Sequence, residues 1–234
     1  ATTQDFAEDA QAAINYLRQQ ERFAESPVGI IGHSEGGMIA PMVAAEDEAI
    51  NFIVLLAGPG VATNELMYLQ NEKYINAQQI PEALKQSELE KQKTLFNIIK
   101  NGGDLPLEKL QDLIFQEYEK RNGGINLRNN PDVQSAVKQF TSPWMRYFMA
   151  YEPGPTLAKL KCAVLAINGD KDTQVVAEQN IPGIEKALKE SGHQNYTVKV
   201  FPNLNHLFQK AETGQLDEYE KIEETVNPEV LEYV

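Results

Sequence analysis

The chain is poor in the residues that would place it in several common classes. Its single cysteine, Cys162 among 234 residues, rules out an internal disulfide, and its place beside an apolar stretch marks it as a packed thiol rather than a nucleophile. Lys and Arg number 21 against 34 Asp and Glu, a formal net charge of -13, and the basic residues are scattered. Nucleic-acid affinity rests largely on clustered cations, so no nucleic-acid partner is expected. The longest apolar run, Phe52 to Ala57, falls far short of the roughly 20 residues that cross a bilayer, so no membrane span is expected. Asp170 and Asp172 cluster in a turn, and without a second ligand set at suitable spacing no metal site is expected there. One free thiol suits a cytoplasmic and a periplasmic or secreted protein alike, and nothing in the sequence fixes the oligomeric state.

What is present is organised around Ile30-Ile31-Gly32-His33-Ser34-Glu35-Gly36-Gly37. Before it, Pro27 to Ile31 reads as a buried strand, and after it Met38 to Ala45 reads as a helix of small residues. A Gly-x-Ser-x-Gly at such a junction puts the serine on a turn so tight that its hydroxyl projects from the fold, with Gly32 and Gly36 omitting side chains that would collide there. The Glu35 backbone N-H, at the positive end of the following helix, can then face an anionic intermediate as an oxyanion donor.

A serine activated this way needs an acid and a histidine, in that chain order. After the apolar run Ala163 to Ile167 comes Asn168-Gly169-Asp170-Lys171-Asp172-Thr173, an acid-bearing turn. Asp170 and Asp172 are two residues apart, so only one can point along the sheet's carboxyl edge, and spacing leaves both open. After Tyr196 to Phe201 comes Pro202-Asn203-Leu204-Asn205-His206, which places His206 on a loop able to swing an imidazole over Ser34. His33 directly precedes the serine and is expected to pack or hydrogen-bond beneath the turn; His193 sits in a surface turn near Ser191-Gly192.

Together, Gly-His-Ser-Glu-Gly-Gly, the Gly-x-x-Asp turn and Asn-His resemble the α/β-hydrolase superfamily, within it the esterases and serine-aminopeptidase-like hydrolases, over nearly the whole chain. The resemblance implies a mostly parallel sheet flanked by helices, no cofactor, and Ser34, Asp172 and His206 as a catalytic triad, with Asp172 chosen over Asp170 because it matches the aspartate of Gly-x-x-Asp. It also implies that the strand before Ser34 is the fifth of about eight and that a second oxyanion donor follows the third. No such loop is found, so the chain is expected to hold only the C-terminal half of the sheet, with the strand at Val28 to Ile31 on an edge.

The remaining pattern completes the architecture. Thr2 or Thr3 can cap a first helix with Phe6, Ala10, Ala13, Ile14 and Leu17 on one face. The run Asn51 to Ala57 reads as a buried parallel strand. From about Asn64 to Glu152 the pattern is helical in five segments, too long for one crossover, which predicts a cap insertion at 64-152 within a core of 1-63 and 153-234. Trp144, Tyr147 and Tyr151 either pack that insertion onto the core or line a substrate pocket. The function read from these parts is hydrolysis of small-molecule carboxylic esters of short acyl groups, an ester being preferred to an amide because an alkoxide leaves more easily than an amine. The alternatives are peptide or amide hydrolysis by the same mechanism, and a noncatalytic binding protein or inactive fragment that keeps the fold.

Overall fold

The computed structural model describes residues 1–234. Helix α1 (Thr3–Gln19) is opened by a capping box, in which the Thr2 hydroxyl accepts from the Asp5 N-H and the Asp5 carboxylate accepts from the Thr2 N-H at 2.6 Å. Its buried stripe is Thr3, Ala7 and Ile14, while Phe6 and Leu17 are exposed. The expected face was therefore turned by one position: α1 packs on α2 through Ala7 and Ile14, Thr3 turns inward to Glu35, and Phe6 stays outside.

Four strands follow, β1 (Gly29–His33), β2 (Phe52–Leu56), β3 (Ala163–Gly169) and β4 (Tyr196–Phe201), all parallel and in the spatial order β1-β2-β3-β4. Gly32 pairs with Leu55, and Leu55 with Ala166, so the segments leaving β1, β2, β3 and β4 emerge on one carboxyl edge. That shared edge is where an open parallel sheet places a site. β1 occupies one border of the sheet, and Ile31 is 57% exposed. β1 lies on an edge as expected, and the burial read for Pro27 to Ile31 is incomplete because no neighbouring strand covers its outer side.

Helix α2 (Gly36–Glu46) returns along one face, joined there by α1, α8 (Pro153–Leu157) and α9 (Ala177–Glu190). Between them Ile53, Leu55, Val164, Ala166, Ile184 and Leu188 form the main core, to which Cys162 also belongs. Ile53 is wholly buried, and each such side chain contributes about 1.5–3 kcal/mol. The other face carries Ile167, Phe201, Leu204 and Phe208, covered by α10 (Pro228–Tyr233) through Val230.

Between β2 and β3 run α3 (Thr63–Ala77), α4 (Glu82–Asn101), α5 (Leu107–Arg121), α6 (Pro131–Phe140) and α7 (Pro143–Ala150). Asn130 and Ser142 cap α6 and α7 with a proline at the first position of each. These helices bury a cluster of their own, including Leu95, Ile99, Leu110, Ile114, Met145 and Met149. No helix of the chain is long and apolar enough to cross a membrane.

Candidate active site

At the end of β1 the chain makes the turn that the sequence motif predicts. Ser34 has φ 55°, in the left-handed region, and its N-H donates to Leu56 O at 2.9 Å. Holding a non-glycine residue there costs about 1–3 kcal/mol and puts the side chain out of the sheet. A Cβ at Gly32 would lie 1.9 Å from Gly36 O, so glycine is required at that position. Gly36 does not act as expected, because a Cβ built on it meets nothing within 4 Å. The second required glycine is Gly37, whose Cβ would sit 2.5 Å from Gly58 Cα, where α2 crosses the segment leaving β2.

α2 starts without a side-chain cap. The Gly37 N-H donates to Ser34 O, but the Glu35 and Gly36 N-H groups have no partner, leaving two donors free at the positive end of the helix. The Glu35 side chain turns away from its own helix. Its Oε1 accepts from Trp144 Nε1 at 2.7 Å and from Thr3 Oγ1 at 2.7 Å.

The loops after β3 and β4 bring Asp172 and His206 together. His206 Nδ1 donates to Asp172 Oδ2 at 2.8 Å, with side chains 6% and 0% exposed. The other Asp172 oxygen accepts from the Gln174 and Val175 N-H groups at 2.8 and 2.9 Å, so the carboxylate is fully engaged in its acceptor role. A proton on Nδ1 leaves Nε2 as the imidazole's free base position. Asp170 is exposed and caps the turn instead, its Oδ1 accepting from the Asn203 N-H at 2.6 Å.

The histidine loop is anchored, where a swinging one was expected. Asn205 Oδ1 accepts from the Leu207 and Gln209 N-H groups, Lys171 N donates to Leu204 O, and Gly169 lets that carbonyl approach where a Cβ would lie 2.0 Å away. Asn203 and Phe208 both adopt positive φ to close the turn. Ser34 Oγ makes no hydrogen bond, so the structure joins two members of the expected triad directly and the third only through its neighbour. That neighbour is His33, whose Nε2 donates to His206 O at 2.8 Å and whose ring centroid lies 4.7 Å from that of His206. Desolvation against these groups, aided by the charge His206 can carry, pushes the His33 pKa below the usual histidine value.

Three supporting residues had no sequence signal. Thr3 is buried and donates to Glu35; Gln174 Nε2 donates to Tyr219 Oη at 3.1 Å; and Gly214, at φ 73°, packs against Lys171 O so that Thr173 Oγ1 reaches Gly214 O. Burial raises the Tyr219 pKa, and the Asp172 charge adds to it. Each contact joins residues at least 32 positions apart, which no local pattern encodes.

The three aromatic residues of the helical insertion diverge. Trp144 reaches the elbow through Glu35 and stacks on Phe148 at 4.9 Å. Tyr147 and Tyr151 line a cavity of about 430 Å³ with Gln4, Ala7 and Met42, and neither Ser34, Asp172 nor His206 borders it. Tyr151 Oη donates to Thr156 Oγ1, and burial pushes its pKa up to about 12. His193 half-buries in its turn, with Nε2 3.2 Å from Asn195 O. Burial likewise raises the Cys162 thiol pKa.

With this geometry in place, two family models match the sequence. One, described as BAAT / acyl-CoA thioester hydrolase C terminal, covers residues 8–141, and one described as the prolyl oligopeptidase family covers residues 129–224. Among solved structures, an esterase of Pyrococcus furiosus is similar at 17% identity, covering 84% of this chain and 52% of its own, with a TM-score of 0.47. A thermostable carboxyl esterase from Bacillus coagulans is similar at 21% identity, covering 84% and 62%, with a TM-score of 0.46. A lipase-esterase related protein from Clostridium acetobutylicum is 18% identical over 86% and 66%, with a TM-score of 0.44. The chain spans about half the length of the Pyrococcus furiosus esterase, at 52%. No curated protein matches the sequence.

Proposed function

Because the chain belongs to the BAAT / acyl-CoA thioester hydrolase C-terminal family, and so to the α/β-hydrolases, we propose that it is a serine hydrolase that cleaves carboxylic esters of short acyl groups through Ser34, His206 and Asp172. The observation that carries this reading is the buried His206–Asp172 pair, placed beside a serine in left-handed backbone geometry on the same sheet edge. Ser34 Oγ attacks the acyl carbonyl while His206 Nε2 takes its proton. Asp172 holds the imidazole's tautomer and stabilises the imidazolium that forms. The Glu35 N-H receives the oxyanion, His206 then protonates the leaving alkoxide, and water activated by the same imidazole hydrolyses the acyl-enzyme. No step calls for a cofactor.

In this reading residues 1-63 and 153-234 make the hydrolase core and 64-152 a helical cap, with Trp144 on the acyl side of the elbow. Tyr147 and Tyr151 are assigned to the outer cavity on α1 and α2, where an extended substrate would pass. Amide hydrolysis by the same residues is the second reading, favoured by the match of the prolyl oligopeptidase model to the segment that carries Asp172 and His206.

Fluorophosphonate labelling, followed by a panel of aryl esters, acyl thioesters and aminoacyl arylamides, tests both readings. Labelling is expected at Ser34, and Ser34→Ala should lower ester turnover by roughly 10⁴ to 10⁶. Near-normal ester turnover in Ser34→Ala would overturn the proposal. Arylamides cleaved faster than the matched esters would transfer the assignment to amides.

A further inference from the structure

Glu35 follows the nucleophile, yet its carboxylate serves neither its own helix nor the reacting atoms. As the residue that caps α2 it could turn inward to the first N-H groups, as capping side chains do. It points outward, and Oε1 accepts from two donors, Trp144 Nε1 and Thr3 Oγ1, both at 2.7 Å. Thr3 lies on α1, fully buried, 32 residues before Glu35; Trp144 lies on α7, 109 residues after it. One oxygen therefore ties the amino-terminal helix, the nucleophile turn and the last helix of the insertion into a single node. Charge-assisted hydrogen bonds of this length are the stronger kind, and two of them on one oxygen remove most of the side chain's rotational freedom.

From this geometry we infer that Glu35 is a positioning residue for acyl selectivity. It locks the Trp144 indole, stacked on Phe148, as the wall against which the acyl chain lies. The inference deepens the ester-hydrolase reading: it relies on that reading for what is turned over, and on the hydrogen bonds alone for how Trp144 is held. Because the outward carboxylate leaves the Glu35 and Gly36 N-H groups uncapped, the same side chain also keeps those donors clear for an anion.

Trp144 is the only tryptophan, so its emission reports the node directly. Glu35→Ala, Glu35→Gln and Thr3→Val are compared by acrylamide quenching and by kcat and KM on aryl acetate and aryl hexanoate. Glu35→Ala should raise the quenching constant about twofold or more and raise KM for the hexanoate roughly tenfold, the loss expected for a hydrogen bond to a charged group. In Thr3→Val, which leaves the nucleophile turn's own residues in place, the acetate kcat should stay within about threefold, since that substrate barely reaches the wall. Glu35→Gln, which keeps an acceptor oxygen, should restore both readouts to within about twofold, and Thr3→Val should give an intermediate change.

Unchanged quenching and KM in Glu35→Ala, or a Gln variant as impaired as the Ala variant, would overturn the inference. Should Glu35→Ala fail to fold, Trp144→Phe read by KM and Thr3→Val read by quenching carry the same test. The two readings fail separately. Ester turnover that survives Ser34→Ala removes the triad and leaves the quenching result standing, whereas Ser34-dependent turnover with an unchanged emission removes only the node.

Discussion

The two halves of the candidate site are built by different means. The acid and histidine half is held chiefly by its own turns, with Thr173 and Gln174 reaching further to Gly214 and Tyr219: Asp172 takes N-H groups two and three residues ahead, and Asn205 takes those two and four residues ahead. The serine half stands on β1, at the border of the sheet, and is held from outside. Its supports are the approach of Gly37 to Gly58 and the reach of Glu35 to Thr3 and Trp144. A loop stabilised by its own turn chemistry keeps its geometry as long as its few residues are intact. A turn stabilised by distant elements shifts whenever any one of those elements moves, which is why substrate-dependent adjustment is expected on the serine side.

The sharpest way to break this comparison is to disable the self-contained half at one atom. Asp172→Asn keeps the turn's acceptor for the Gln174 and Val175 N-H groups but presents His206 with an amide, which favours the wrong tautomer. Turnover should fall roughly 10⁴-fold with little change in melting temperature. Asp170→Asn, at an exposed cap two residues away, should leave turnover within about twofold. A reversed ranking in steady-state ester assays would reassign the acid.

On the serine side the expected losses are of stability, and the paired glycines divide them. Gly37→Ala drives a Cβ to 2.5 Å from Gly58 Cα, a backbone-to-backbone clash that side-chain rotation cannot relieve. Overpacking of this kind costs about 1–3 kcal/mol or more, so the melting temperature should drop by several degrees, with turnover falling as α2 shifts away from β2. Gly36→Ala adds a methyl group to open space at the first helical position, and should be neutral within about 0.5 kcal/mol. Equal melting temperatures for the two variants would show that the contact between α2 and the segment after β2 gives way more readily than its spacing implies.

The same division explains how much was legible in the sequence. The parallel strands, the α2 turn and the helices α3 to α7 follow from apolar runs and cap-proline pairs that are local, whereas the approach of Asp172 to His206, 34 positions apart, was expected from the family resemblance. The choice of Gly36 over Gly37 failed because the collision partner is Gly58, which no spacing within the motif reveals. The face of α1 was set one position off because Thr3 is drawn inward by a carboxylate 32 residues away, overriding the larger apolar area of Phe6. Trp144 was recognised as significant, but its partner was hidden 109 residues upstream, inside a motif whose other residues already had roles.

The smallest predicted effect concerns a contact that spans both halves. His33 precedes Ser34, and its Nε2 donates to His206 O, so it joins the turn on β1 to the loop after β4. Desolvation lowers its pKa from the ordinary value of 6.5; the His206 carbonyl and the Asp172 charge act to raise it, while the charge on His206 acts with desolvation. A histidine whose pKa is lower in the folded state binds fewer protons there than in the unfolded chain. Its stabilising contribution is therefore fully present above pH 6.5 and is lost as pH falls through the folded value. The melting temperature of the wild-type protein should accordingly fall between pH 7 and about pH 5 more steeply than that of His33→Gln, whose side-chain amide can still donate to His206 O but cannot titrate. Carboxylate contributions are common to both proteins and cancel in the difference. The difference should be small, because His33 as a residue is exposed and solvent offsets much of the penalty. Parallel melting curves across that range would mean that His33 adds no proton linkage between the halves, and that its hydrogen bond to His206 O joins them independently of pH.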